Sequence, residues 1–350
     1  MKNILAIMGT AALLFGQETV VNPERPLNPK AGRILQLKEE LRITDDGGQF
    51  FLRFPRVGKV APENSLFFLD FDSLIHLDAK GHYLGNYFKK GQGPGELNYV
   101  SNFDIAQDHL IVHSNSPGKI VWFDFQGKIV KQISLTEMPR LSFLFFAQGV
   151  YHFFKYGVPT MSDKPEIIDF PQVLIAADED GRELRELITF PNRGFRIGGA
   201  MVMRELLFTS CQHRYLFVSH TREYCVKMVD CQEGRLLRVF QRKYKRVKPP
   251  KEHREAAIVI GAKRYEAPGS EYLADVNDLF VFKDALWVVT STKDEKKGTL
   301  VDVYDFMGRY IDAFFLKFNV SLIGTHGDSI FVREKGPDDL IQIVKYRVVD

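Results

Sequence analysis

One turn pattern constrains this chain more than any other feature. D-x-x-G recurs between apolar runs, at Asp78–Gly81, Asp124–Gly127, Asp178–Gly181 and Asp305–Gly308, with a version one residue longer at Asp230–Gly234. An Asp side chain can bond the backbone two residues on, and Gly accepts positive φ at no steric cost. Each copy follows an apolar strand pattern (Ile120 to Phe123 and Thr299 to Tyr304 are the clearest) and leads into another, such as Ile129 to Ile133 and Tyr310 to Leu316. The Asp residues are spaced by 46, 54, 52 and 75 positions. The first three spacings are near the length of one four-stranded propeller blade, about 40–50 residues. The last is a blade plus an insertion. The expected fold is therefore all-β: a six-bladed propeller of four-stranded antiparallel blades.

The run Leu66 to Glu96 holds the clearest copy. It reads as strand, turn, strand, turn, strand and then a glycine-rich loop. Phe88 to Glu96, F-K-K-G-Q-G-P-G-E, is followed by a strand and then by W-F-D-F-Q-G-K-I. This combination resembles the secreted bacterial six-bladed β-propellers related to NHL-repeat and TolB-like proteins. The resemblance spans residue 50 to the end. Ala267 to Tyr272 is a weaker echo of the loop, and the other blades depart from it.

Residues 1–17 read as a signal peptide. Lys2 supplies the positive start, Ile4 to Phe15 the apolar stretch and Gly16 a small residue at the cleavage point. That stretch is too short to span a bilayer. Export to the periplasm or beyond the cell follows, with no membrane insertion. A formal net charge of +3 over 350 residues gives no footprint for nucleic acid. Three cysteines, Cys211, Cys225 and Cys231, leave at least one free thiol. Buried thiols, or one disulfide among the three, both fit.

Taken in order, residues 18–31 read as an extended, poorly ordered leader, and 32–350 as one propeller domain expected to be a monomer. Blades one to six span about 50–88, 100–135, 141–190, 200–242, 275–316 and 318–348. Residues 243–273 are an insertion with a short helix expected over Glu252 to Gly261. The last repeat lacks its outermost strand, and an unpaired edge invites aggregation. The alternating run Ile34 to Ile43 is expected to fill it.

In such a blade the D-x-x-G hairpins emerge on one face. The loops between blades emerge on the other, with those joining second to third strands. The second face is loop-rich, with long loops expected at 157–170 and 191–199, and variable loops on a rigid scaffold are where binding usually sits. Lys89, Lys90, Gln92, Glu96, Arg193, Arg196 and Arg222 are the candidate ligand-binding residues there. The expected partner is a protein, peptide or glycan, and no catalytic residue is assigned. The alternative is a hydrolase or lyase with a metal in the central channel, as in gluconolactonase-like propellers. Those enzymes converge Glu, Asn and Asp on one Ca²⁺, a set not assignable here. Among the nine His residues, those of different blades, for example His213, His220 and His326, are the candidates for a Zn²⁺ site. Gly91 to Glu96 resembles a phosphate cradle in composition but lacks the strand–helix setting. Its other reading is a blade-to-blade turn with Glu96 bonded to nearby backbone.

Overall fold

The computed structural model describes residues 18–44, 48–136, 138, 140–157, 166–197, 200–203, 207–220, 223–250, 256–260, 263–267, 271–317 and 321–349. Residues 1–17, read as a signal peptide, and Arg222 lie outside them. Every regular element described is a strand.

The chain starts with β1 (Glu18–Asn22), β2 (Arg33–Ile34) and β3 (Leu37–Ile43). Blade one is β4 (Pro55–Val60), β5 (Leu66–Asp70), β6 (Ser73–Leu77) and β7 (Tyr83–Asn86). Blade two is β8 (Val100–Ala106), β9 (His109–Asn115), β10 (Gly118–Asp124) and β11 (Ile129–Ser134). Blade three is β12 (Leu141–Ala147), β13 (Val150–Tyr156), β14 (Glu166–Ala177) and β15 (Glu183–Ile197), with β16 (Ala200–Met203) added outside. Blade four is β17 (Leu207–Gln212), β18 (Tyr215–His220), β19 (Val226–Asp230) and β20 (Arg235–Arg242). The insertion forms a separate hairpin, β21 (Ala256–Ile260) and β22 (Lys263–Ala267). Blade five is β23 (Val276–Phe282), β24 (Ala285–Asp294), β25 (Gly298–Asp305) and β26 (Tyr310–Leu316). Blade six is β27 (Leu322–His326), β28 (Ser329–Lys335) and β29 (Ile341–Val348), completed by β3.

The turn chemistry read from the sequence is what builds the outer hairpins. Asp78 Oδ1 accepts from Lys80 N and His82 N at 2.8 Å, and Asp124, Asp178, Asp230 and Asp305 make equivalent bonds. Gly81, Gly127, Gly181, Gly234 and Gly308 all hold positive φ. Between blades, apolar faces pack in six buried clusters, one at each junction of neighbouring blades, including that of blades six and one. The ring is thus closed by packing. β3 closes it by hydrogen bonding, antiparallel to β29 with Ile43 opposite Ile343.

Four expectations need correction. Residues 18–31 are not a loose leader: β1 pairs in parallel with β20, Glu18 opposite Arg238, and Asn22 bonds Gly308 O and Tyr310 N. Backbone pairing with an open blade edge orders a segment that has little apolar pattern of its own. The helix expected over Glu252 to Gly261 is absent where described, since Ala256–Ile260 is a strand; Ile258, Val259 and Ile260 favour one by β-branching. Residues Ala200–Met203 belong to blade three, not four, because they continue antiparallel pairing with β15. Parts of the segments read as loops at 157–170 and 191–199 are the ends of β14 and β15, which pair from Glu166 opposite Arg196 inward.

The innermost strands are sewn to one another by side chains. Asp104 accepts from Phe146 N at 2.8 Å and pairs with Lys59 Nζ at 2.6 Å. Ser210 Oγ accepts from Val281 N at 2.9 Å, and Thr325 donates to Val281 O at 2.8 Å. Gly324 lies against the Gly58 carbonyl, where any Cβ would collide. Five of these six strands (β4, β8, β12, β23 and β27) carry a register shift, which bends them around the axis.

Candidate site on the loop-rich face

The site begins with an unusual turn. Asp70-Phe71-Asp72-Ser73 is a two-residue connection between β5 and β6, with Asp70 opposite Ser73. Such turns need positive φ and favour Asn or Gly. Here Phe71 takes it, at φ 45, and the residue is 59 % exposed. Tyr99, at the blade one–two junction, repeats the device at φ 64 and 77 % exposed. A bulky residue in this region is a real outlier.

The surroundings hold the Phe71 ring and the Tyr99 backbone in place. The buried Asp70 carboxylate accepts from Arg53 N at 2.6 Å and Phe54 N at 2.7 Å, fixing that segment beside the turn. Phe54 lies 6.2 Å from Phe71 between ring centres. Arg53 pairs with Asp72 and stands 5.3 Å over the Phe71 ring. From blade six, the Arg333 guanidinium covers Phe54 at 3.7 Å and donates to Pro55 O and Ser321 Oγ. Beside Tyr99, Asn98 N donates to Ser114 Oγ at 2.9 Å, and Tyr99 O accepts from Asn115 N at 3.1 Å.

These residues border two cavities. One, of ≈ 500 Å³, is lined by Phe54, Phe71, Phe88, Tyr99, Arg53 and Lys90 among others. The second, of ≈ 750 Å³, runs along blade six past Arg333, Glu334, Lys335 and Tyr346. Phe54 lines both and forms the ridge between them.

The residues expected from sequence divide into two groups on different blades. Lys89 and Lys90 are exposed next to the first cavity and make no ion pair among the described residues. Gln92 and Glu96 belong to a self-contained turn. Glu96 Oε2 accepts from Gly93 N at 2.8 Å, and Lys119 Nζ donates to Gly93 O at 2.8 Å. The Glu96 carboxylate occupies the position an anion would need, and a Cβ on Gly91 would strike it. Arg193 and Arg196 are not in a loop but on β15, paired across the hairpin with Asp169 and Glu166. Phe54, Phe71, Tyr99 and Arg333 were missed. The available signal was an apolar Phe inside a D-F-D-S turn.

The central channel is a further concavity, ≈ 750 Å³ and lined by all six innermost strands. It holds the Lys59–Asp104 pair, Cys211 and Asp278. Burial pushes the Asp278 carboxyl up to about 7. All three cysteines are free thiols, and burial pushes Cys211 and Cys225 up to about 11 and Cys231 to about 12. His213 sits in the turn after β17, whereas His220 ends β18 at the opposite face, so these two cannot share an ion. Among the described residues no group of three or more His, Cys, Asp or Glu is placed to hold a metal. None of the described residues forms a helix long and apolar enough to cross a membrane.

Fold and groove together define a six-bladed β-propeller with its candidate site on the loop-rich face. No protein-family model and no curated protein matches the chain. Among solved structures it is similar to a Bacteroides fragilis protein provisionally described as exported. Their identity is 10 %, the TM-score is 0.57, and the match covers 95 % of this chain and 100 % of that one. It is also similar to a member of the duf4221 family from Bacteroides vulgatus, at 11 % identity and TM-score 0.54, covering 91 % and 99 %. At these identities the likeness shows the shared propeller fold.

Proposed function

We propose that this protein is an exported binding propeller that presents its loop-rich face to a protein, peptide or glycan. The observation that carries this reading is the pair of aromatic rings, Phe71 and Tyr99, held exposed on left-handed backbone. Strain of this kind costs about 1–3 kcal/mol and persists where the surrounding structure over-determines it, often at binding sites. Exposed aromatics flanked by arginine are also the composition of interface hot spots. Export is supported by the amino-terminal pattern and by the description of the Bacteroides fragilis propeller.

The test is capture on peptide and glycan arrays by wild type and by the double variant Phe71→Gly/Tyr99→Gly. Gly relieves the backbone strain, so the variant should melt no lower than wild type while losing the captured partners. Equal capture by both proteins would place binding elsewhere.

A further inference from the structure

Resting on that reading, we infer that the groove takes an extended, proline-containing polypeptide segment whose acidic residues lie over Lys89 and Lys90.

Shape is the first argument. The two cavities, ≈ 500 and ≈ 750 Å³, share Phe54 as a common wall. A compact small molecule fills one. A chain in polyproline II conformation, rising about 3.1 Å per residue, can cross the ridge and use both.

The lining is the second. Phe54, Phe71, Phe88 and Tyr99 give the first cavity an aromatic wall. Of its polar side chains, both arginines and Asp72 are committed: Arg53 to Asp72, and Arg56 to Val100 O at 2.5 Å. A glycan buried there would leave hydroxyls without partners, at a cost of at least about 1 kcal/mol each. Proline rings have no such groups, and aromatic-lined grooves recognise the preformed polyproline II helix.

Charge is the third. Around the second cavity Arg42 pairs with Glu334 and Lys335 with Asp339, and the half-buried Arg333 is held by Phe54, Pro55 O and Ser321 Oγ. At the blade-two end, Lys89 and Lys90 have no such partner among the described residues. Exposed lysines without a carboxylate partner are thus found at one end of the groove. That gives the segment a direction, with proline and apolar residues over the rings and acidic residues beyond them.

The experiment selects a display library of random linear peptides on the folded protein, with oligogalacturonate as a soluble anionic glycan in parallel. The expected peptides combine proline with Asp or Glu. Their affinity should fall at least about tenfold in Phe71→Gly/Tyr99→Gly. Lys89→Glu/Lys90→Glu should instead select Lys or Arg in place of the acids. Peptides without proline or acid enrichment would overturn the inference. So would oligogalacturonate binding that depends on Phe71 and Tyr99 when no peptide does, although the face would then remain the binding surface. If neither probe depends on these two residues, the inference and the functional reading fall together.

Discussion

Gly308 and Phe71 occupy the same kind of backbone for opposite ends. Gly308 closes its turn at φ 78, with its Cα facing Phe240, where an added Cβ would come within 2.9 Å. Gly308→Val combines left-handed strain with that clash and should destabilise by more than about 1 kcal/mol, read as a drop in the urea midpoint. Phe71 accepts the same kind of strain and gains no burial for it. The first case was legible, because D-x-x-G announces its geometry. The second was not, because the four residues Asp70 to Ser73 read as ordinary turn chemistry, and only the backbone angle reveals what the Phe does there.

At the scale of elements, the hairpins and blade limits could be read from the sequence because each is a local pattern. What joins blades could not. Blades four and five share a buried network in which Arg242 pairs with Asp302 at 2.7 Å, and Tyr224 and Tyr310 donate to the same carboxylate. Its members come from four strands or their flanks, so no spacing betrays them. Asp302 is 0 % exposed at its side chain and Arg242 7 %. Asp302→Ala leaves the guanidinium buried without its anion and should cost about 3–5 kcal/mol, measured by chemical denaturation. The β14–β15 extension was equally hidden, since Glu166–Arg196 and Asp169–Arg193 are cross-strand pairs that read as loop charges in one dimension. Deleting residues 18–44 removes the edge pairing of blades four, five and six at once. It should abolish soluble expression or lower the melting temperature sharply; an unchanged melt would show that the ring closes without β3.

For the whole molecule, buried titrating groups give stability a definite pH dependence. Burial holds His152 down to about 4 and His113 down to about 3, from an ordinary 6.5. The unfolded chain therefore binds more protons below pH 6.5, and stability falls as the medium is acidified through that range. For His152, stacked 4.3 Å from Phe145, the loss between pH 6.5 and 4 reaches about 3 kcal/mol. His152→Phe should flatten the acid side of a melting-temperature profile. Asp278 has the opposite sign. Its carboxyl is raised to about 7, so its contribution is present in acid and is lost as the pH rises to that value. Asp278→Asn should raise the melting temperature above about pH 7 and change little in acid.

The order of pairing around the ring also sets a schedule for folding. β3 is among the first strands made, yet its partner β29 ends at Val348, so Ile43 meets Ile343 only when nearly the whole chain exists. β1 likewise waits for β20. Contacts of such long sequence separation form slowly. A chain emerging amino-terminus first cannot lock its ring prematurely. The last seam of the ring closes only when its last strand arrives.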